Sequence, residues 1–358
     1  MSTTFHCLSI SEVRQETADA ITVRFAVPDA LAGSFRFIPG QHLTLRAEVA
    51  GEDLRRSYSL CSTPGDKELQ IAIKRVAGGR FSNWAADALK AGAMLEVMPP
   101  AGAFGWTFNS QRRVQYAMFA SGSGITPILS LLKAGLAAEP ASHFALFYGN
   151  RDTAGILFLE ELAQLKNRYL DRFEIHHFLS REDDELELLN GRIDRAKMAE
   201  ILAHVLPASA IDAAFICGPG AMMDAVEGAL VESGLDAGQI RSERFSADEL
   251  SAARREQVER LERQAAGKSI KVTINGKRRA LTYDPTLESI LENTRAAGLA
   301  APFSCKAGVC ATCRARVVEG QVEMIRNFGL TADELERGYV LTCQAIPLSD
   351  DVEIDFDA

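Results

Sequence analysis

Three cysteines stand within nine residues in the run CKAGVCATC, from Cys305 to Cys313, and a fourth, Cys343, follows in TCQAI. The spacing is C-x4-C-x2-C, with 29 residues between Cys313 and the last thiol. Thiols this close pair as disulfides, hold a metal, or carry electrons. Four thiolates satisfy the irons of a [2Fe–2S] cluster when a short loop supplies three and a later strand the fourth. Gly308 and the small residues Ala307, Ala311 and Thr312 suit a backbone that folds closely round inorganic sulfide and turns N–H groups toward it. A structural zinc site is the main alternative, although such sites usually pair two CxxC knuckles and this run has one. The total of seven cysteines is odd, which fits poorly with a pure disulfide framework. Of the others, Cys7 and Cys61 read as buried small hydrophobes.

A one-electron centre needs a donor. The stretch ASGSGITPI (120–128) leaves a strand, turns at Gly122 and Gly124, and enters a helix with Thr126 and Pro127 near its start. A helix N-terminus preceded by small residues suits a pyrophosphate. Taken alone, the motif is equally a tight turn. ICGPGAMMDAV repeats the arrangement with Cys217 at a strand end and Gly218-Pro219 after it, so the two turns could line one cleft. On spacing alone Cys217 is a packed core thiol. Further upstream, Arg56-Ser57-Tyr58-Ser59 alternates along a strand, which puts Arg56 and Tyr58 on one face. An aromatic ring to stack and a guanidinium to bind oxygen would grip a planar ring carrying a phosphate; a solvated face is the plain alternative. GGRFS (78–82) then opens a helix with another phosphate-type turn.

The elements that must position these residues change character along the chain. The first hundred residues carry AITVRFAV, QHLTLRAEV, RRSYSL and ELQIAIKRV, near-alternating strands with turns between them and one helical stretch, RFSNWAADALKAG. That pattern predicts a small antiparallel barrel or sandwich over 1–106, ending at the turn-rich MPPAGAFGW. From 107 to 246 the apolar strands VQYAMFA, HFALFYGN, FEIHHFLS and AAFICG alternate with helices, which predicts a parallel α/β sheet with its ligand at the C-terminal strand ends. Residues 247–267 are charged, lack a clear apolar stripe and read as a linker, helical in part. From 268 to 358 a hairpin turning at Asn275-Gly276 and the helical TLESILENTRAAG lead into the cysteine loop.

At 358 residues the chain predicts two or three domains. A net charge of −9 argues against a nucleic-acid binder, which needs a basic stripe to neutralise phosphates. MSTTFHCLSISEVRQE has neither a basic n-region nor an apolar h-region, and no apolar stretch reaches bilayer length. The expectation is a soluble, cytoplasmic protein with no membrane partner, in a compartment where disulfides are rare and clustered thiols serve metal or redox chemistry.

On Arg56-x-Tyr58-Ser59, GGRFS, GSGITP and Cys217-Gly218-Pro219, residues up to about 246 resemble the ferredoxin–NADP reductase-type flavoproteins; residues 268–358 resemble plant-type [2Fe–2S] ferredoxins. The resemblance leaves out only the linker. It implies an antiparallel β-barrel flavin domain, an α/β nucleotide domain and an α+β β-grasp ferredoxin domain. It further implies a reductase component of a multicomponent oxygenase, similar to those serving steroid and aromatic-ring oxygenases. In such a relay NAD(P)H gives a hydride to a flavin, which divides two electrons into single steps for the cluster. FAD is the flavin the resemblance favours, with FMN the alternative. The implied flavin-binding residues are Tyr58 on the ring, Arg56 and Ser82 on phosphate or ribose groups, and Ser59, Lys74, Gly79 and Phe245. Gly122, Gly124, Thr126 and Pro127 form the implied nucleotide loop, and Ser59, Cys217 and Glu243 the implied catalytic surroundings. Cys305, Cys310, Cys313 and Cys343 are the implied cluster ligands.

Ser180-Arg181-Glu182 matches three residues that the plant reductases carry against the adenosine 2′-phosphate, and Arg151 and Arg192 add charge nearby. This favours NADPH over NADH; the alternative is arginines balancing the neighbouring EDDELE run. Lys306, Arg314 and Arg316 make the cluster loop basic, either as a docking collar for an acidic oxygenase subunit or as a solvated rim. A redox-sensing iron–sulfur flavoprotein is the competing class, disfavoured because a sensor has no need of both flavin and nucleotide motifs.

Overall fold

The computed structural model describes residues 4–245 and 251–358, and the chain divides into two compact units, 1–245 and 246–358. Among the described residues no helix is long and apolar enough to cross a membrane.

In the first unit, β1 (His6–Thr17), β2 (Ala20–Ala26), β3 (His42–Val49), β4 (Glu52–Ser59), β5 (Glu68–Lys74) and β6 (Met94–Val97) form an antiparallel sheet in the order β4-β3-β6-β1-β2-β5. Its two edges meet where Leu60 bridges Ile71 and Cys61 N donates to Gln70 O at 2.8 Å, which curls the sheet into the predicted barrel. Alternating apolar residues of these strands fill the interior, among them Leu8, Val23, Phe25, Leu43, Leu45 and Ile71. Helix α1 (Arg80–Ala88) packs Phe81 and Ala85 into that core. The patterns of β1 and β6 are too irregular or short to stand out in the sequence. Cys61 is buried as expected, but Cys7 is exposed, because it lies on the outward face of β1 beside the core residue Leu8.

The same unit continues with β7 (Gln115–Ser121), α2 (Ile125–Ala138), β8 (His143–Asn150), α3 (Leu159–Arg168), β9 (Phe173–Leu179), α4 (Arg195–His204), β10 (Ala213–Cys217), α5 (Gly220–Glu232) and β11 (Ile240–Glu243). The parallel order is β11-β10-β7-β8-β9. The chain runs outward from β7 to β9, then crosses back to β10, so the switch point, where such sheets bind ligands, lies between β7 and β10.

In the second unit, α6 (Ala252–Ala265) precedes β12 (Ser269–Ile274), β13 (Lys277–Thr282), α7 (Ile290–Ala296), β14 (Arg314–Glu319), β15 (Val322–Met324), α8 (Ala332–Glu336), β16 (Tyr339–Leu341), β17 (Ala345–Pro347) and β18 (Asp351–Asp355). The main sheet is mixed, β13-β12-β18-β14-β16, with β12 and β18 parallel. Asn275 and Gly276 both take positive φ at the β12–β13 turn, as a two-residue hairpin requires. Residues 247–250 of the expected linker lie outside the described residues. The remainder is not a bare tether: α6 buries Val258 and Ala265 in the second unit's core, and Arg254 pairs with Glu323 at 3.0 Å. Its apolar stripe, Val258, Leu261 and Ala265, is narrow, so the charged residues around it hide it in the sequence.

Candidate functional site

The switch point is unusually tight. A Cβ added to Gly124 would lie 2.0 Å from the carbonyl oxygen of Cys217, and one on Gly218 would lie 3.2 Å from Ser121 Cβ. The two glycine turns predicted to share a cleft are therefore in direct contact, and only glycine fits at 124. Gly122 takes φ +53 and its carbonyl accepts from Tyr148 Oη at 3.0 Å. Thr126 is buried and its hydroxyl donates to Ser123 O at 3.0 Å, closing the turn that leads into α2, while Pro127 is buried in the first turn.

Register brings the predicted catalytic set together. Cys217 pairs with Glu243 across β10 and β11, and Ser59 ends β4. Ser59 Oγ donates to Glu243 Oε2 at 2.9 Å. The other carboxylate oxygen, Oε1, lies 3.9 Å from Nδ1 of His42, which is the cross-strand partner of Ser59. His42 is buried, and a Cβ on Gly102 would come within 2.9 Å of its Nδ1. Sequence reasoning missed His42: a lone histidine opening a strand carries no motif, and its neighbours come from distant segments. Burial, with the Glu243 carboxylate adding to it, pushes the Cys217 thiol well above its ordinary range. A thiol so held stays protonated and is no nucleophile.

The predicted flavin residues are partly assembled. Tyr58 packs its ring 5.9 Å from Phe81, and burial raises its phenol above the ordinary range. Arg56 is exposed one alternation away and donates to Arg55 O at 2.7 Å. In the GGRFS turn, Gly79 caps α1 without a side-chain bond, and Ser82 Oγ accepts from Val76 N at 3.2 Å. A Cβ on Gly79 would stand 2.6 Å from that Oγ, so glycine there lets the turn close on Ser82. Lys74 is drawn to Asp19 at 3.4 Å, and Phe245 is exposed.

At the ends of β8 and β9, Arg181 N donates to Arg151 O at 2.8 Å and Ser180 N to Asn150 O at 3.1 Å. The Glu182 carboxylate accepts from Thr153 N at 3.1 Å and Thr153 Oγ1 at 2.6 Å, fastening the two loops. Arg151, Arg181 and Arg192 are all exposed. A separate cavity of about 820 Å³, bordered by Arg14, Glu16, Arg24, Lys133 and Glu161, takes in none of the predicted site residues, and its charges largely pair with one another or with neighbouring side chains.

In the second unit the four thiols interact as two pairs: Cys305 with Cys310, whose Sγ accepts from Cys305 N at 3.5 Å, and Cys313 with Cys343. Within each pair the partner thiol lowers one member, Cys310 or Cys343, below its ordinary range, and the other is raised. Among the described residues no three His, Cys, Asp or Glu side chains converge to hold a single metal ion. Two thiol pairs match instead what each iron of a binuclear cluster takes from the protein. The loop is shaped for it: Lys306, Gly308 and Ala311 take φ +53, +77 and +53, and Ala307 N donates to Cys305 Sγ at 3.3 Å. Of the three basic residues round the loop, Arg316 is exposed and the other two have acidic partners. Lys306 pairs with Glu292 at 2.8 Å and lies over the Phe303 ring, while Arg314 pairs with Glu334 and lies over Tyr339.

Three family models match the chain. An oxidoreductase FAD-binding domain matches residues 8–106, an oxidoreductase NAD-binding domain 118–228, and a 2Fe–2S iron–sulfur cluster binding domain 272–348. The chain is 43% identical to a subunit of the 1,2-phenylacetyl-CoA epoxidase of Escherichia coli K12, over 99% of both chains. It is 36% identical to the ferredoxin reductase component of 3-ketosteroid-9-alpha-monooxygenase of Rhodococcus rhodochrous, over 98% of this chain and 96% of that one. Among solved structures it resembles phthalate dioxygenase reductase, described as modular for electron transfer from pyridine nucleotides to [2Fe–2S], at 25% identity and a TM-score of 0.59 over 98% of each chain.

Proposed function

The chain belongs to the family of FAD- and NAD-binding reductases with a C-terminal 2Fe–2S domain that are components of multicomponent oxygenases, and we propose that it is the reductase of a phenylacetyl-CoA epoxidase. The observation that carries this reading is end-to-end identity of 43% to the matching subunit of that complex. The reaction is transfer of electrons from NADPH through FAD and the [2Fe–2S] cluster to the oxygenase subunits, in the cytoplasm and in phenylacetate catabolism. Bound FAD supplies the step that accepts a hydride and gives up single electrons.

The geometry supports a part for each of the protein's own residues. Ser59 orients the Glu243 carboxylate at the mouth of the switch point, and Cys217 keeps a neutral thiol behind it. Gly122 and Gly124 let the nucleotide approach backbone N–H groups at the start of α2. Arg181, beside Arg151, offers planar donors to a 2′-phosphate, which supports NADPH over NADH. Cys305 and Cys310 would hold one iron, Cys313 and Cys343 the other.

Reconstitution tests the assignment. NADPH oxidation by the purified chain should couple to epoxidation of phenylacetyl-CoA when the oxygenase subunits of that complex are added. The 36% identity to a steroid monooxygenase component supports the second reading, a reductase for a Rieske-type ring or steroid hydroxylase. Coupling to such a hydroxylase, with none to the epoxidase, overturns the first.

A further inference from the structure

We infer that Gln344 is a positioning residue for the cluster, acting by holding Lys306 of the ligand loop in its left-handed conformation. The inference rests on the reading of the four cysteines as cluster ligands. A loop that wraps a cluster with three ligands must turn alternate peptides over, so that N–H groups face sulfur and carbonyls face away. Here Ala307 N reaches Cys305 Sγ at 3.3 Å and Cys305 N reaches Cys310 Sγ at 3.5 Å. The turnover needs positive φ at 306, 308 and 311. Glycine takes that conformation freely at 308, but Lys306 carries a Cβ that disfavours it.

Something outside the loop must hold Lys306 there. Gln344 is 8% exposed, and its Nε2 donates at 3.0 Å to Lys306 O and at 3.0 Å to Cys343 O. One side-chain amide therefore ties the outward carbonyl of the strained residue to the backbone of the fourth ligand. A Cβ on Gly308 would lie 3.0 Å from Gln344 Cγ, so the stem of the side chain also lies flat on the loop. On the other side of Cys343, Thr342 Oγ1 donates to Cys313 O at 2.8 Å. The residues flanking the fourth ligand thus reach back to both ends of the three-ligand loop.

The test uses the full chain with its cluster. Gln344→Met keeps volume and removes both donors; the rate of cluster loss to an iron chelator is followed by visible circular dichroism, with EPR of the dithionite-reduced protein. Loss should accelerate by about tenfold, the order set by one hydrogen bond. Adding Lys306→Gly, which needs no help to be left-handed, should bring the rate back to within about threefold of the parent. Lys306→Gly alone is the control for the lost Glu292 pair. If Gln344→Met does not fold, Gln344→Glu, isosteric and unable to donate when ionised, replaces it with the same expectations. Unchanged loss in the Gln344 variant, or a double variant that the added Lys306→Gly fails to rescue, overturns the inference. A parent protein without [2Fe–2S] dichroism and EPR signals would mark failure of the cluster reading instead.

Discussion

Ser59 Oγ donates to Glu243 Oε2 at 2.9 Å across 184 positions of sequence, joining the end of a barrel strand to the last strand of the parallel sheet. The bond fixes one carboxylate oxygen, and His42 Nδ1, 3.9 Å from the other, limits the swing of the group. Because Cys217 is register-paired with Glu243, one contact locates barrel, carboxylate and thiol together.

Ser59→Ala should therefore slow reduction of the bound flavin by NADPH. A hydrogen bond to a charged group is worth about 1.5–3 kcal/mol, so the loss should be roughly 10- to 100-fold in the stopped-flow rate. Glu243→Gln retains shape and an acceptor oxygen but not the charge, and should be at least as slow. The flavin should remain bound in both, read from its absorbance. A Ser59→Ala rate equal to that of the parent removes the serine from the proposed site.

Arg181→Ala should raise the Michaelis constant for NADPH about 10- to 100-fold and leave that for NADH within about twofold. The arithmetic is that of one charge-assisted bond to phosphate. Glu182 holds the neighbouring loop through Thr153, so the substitution removes the guanidinium and leaves its support in place. Equal effects on the two nucleotides would show that Arg181 acts on the fold and not on the 2′-phosphate.

Much of this was legible before the structure because the informative features are local. C-x4-C-x2-C, the two glycine turns and the hairpin at Asn275-Gly276 each declare themselves within a dozen residues. Four strands of the barrel and four of the parallel sheet were readable from alternation and apolar runs. What escaped depends on distant partners. His42 acquires meaning only when β3 and β4 set it opposite Ser59 and β11 brings Glu243 within reach. Lys306 and Arg314 read as either a docking collar or a solvated rim because the sequence shows their charge but not Glu292 and Glu334 folded against them. Helix α6 read as a linker because only three apolar residues, Val258, Leu261 and Ala265 in its later turns, pack it on the core of the second unit.

The contact between Gly124 and Cys217 makes the remaining prediction. A methyl group at 124 would sit 2.0 Å from a backbone carbonyl, and neither strand β10 nor the start of α2 can yield without disturbing the buried core around Ile125, Phe215 and Cys217. Overpacking of a rigid core costs about 1–3 kcal/mol, and a clash with backbone belongs at the upper end. Gly124→Ala should lower the thermal midpoint of the flavin-loaded chain. It should also separate two ways of reducing the flavin: reduction by dithionite should stay close to the parent, because it needs no nucleotide site. Reduction by NADPH should fall by tenfold or so, the equivalent of about 1.4 kcal/mol, as the opened turn no longer presents its N–H groups to the pyrophosphate. If both routes slow alike, the substitution has damaged the barrel and the glycine turn is not specifically the nucleotide's seat.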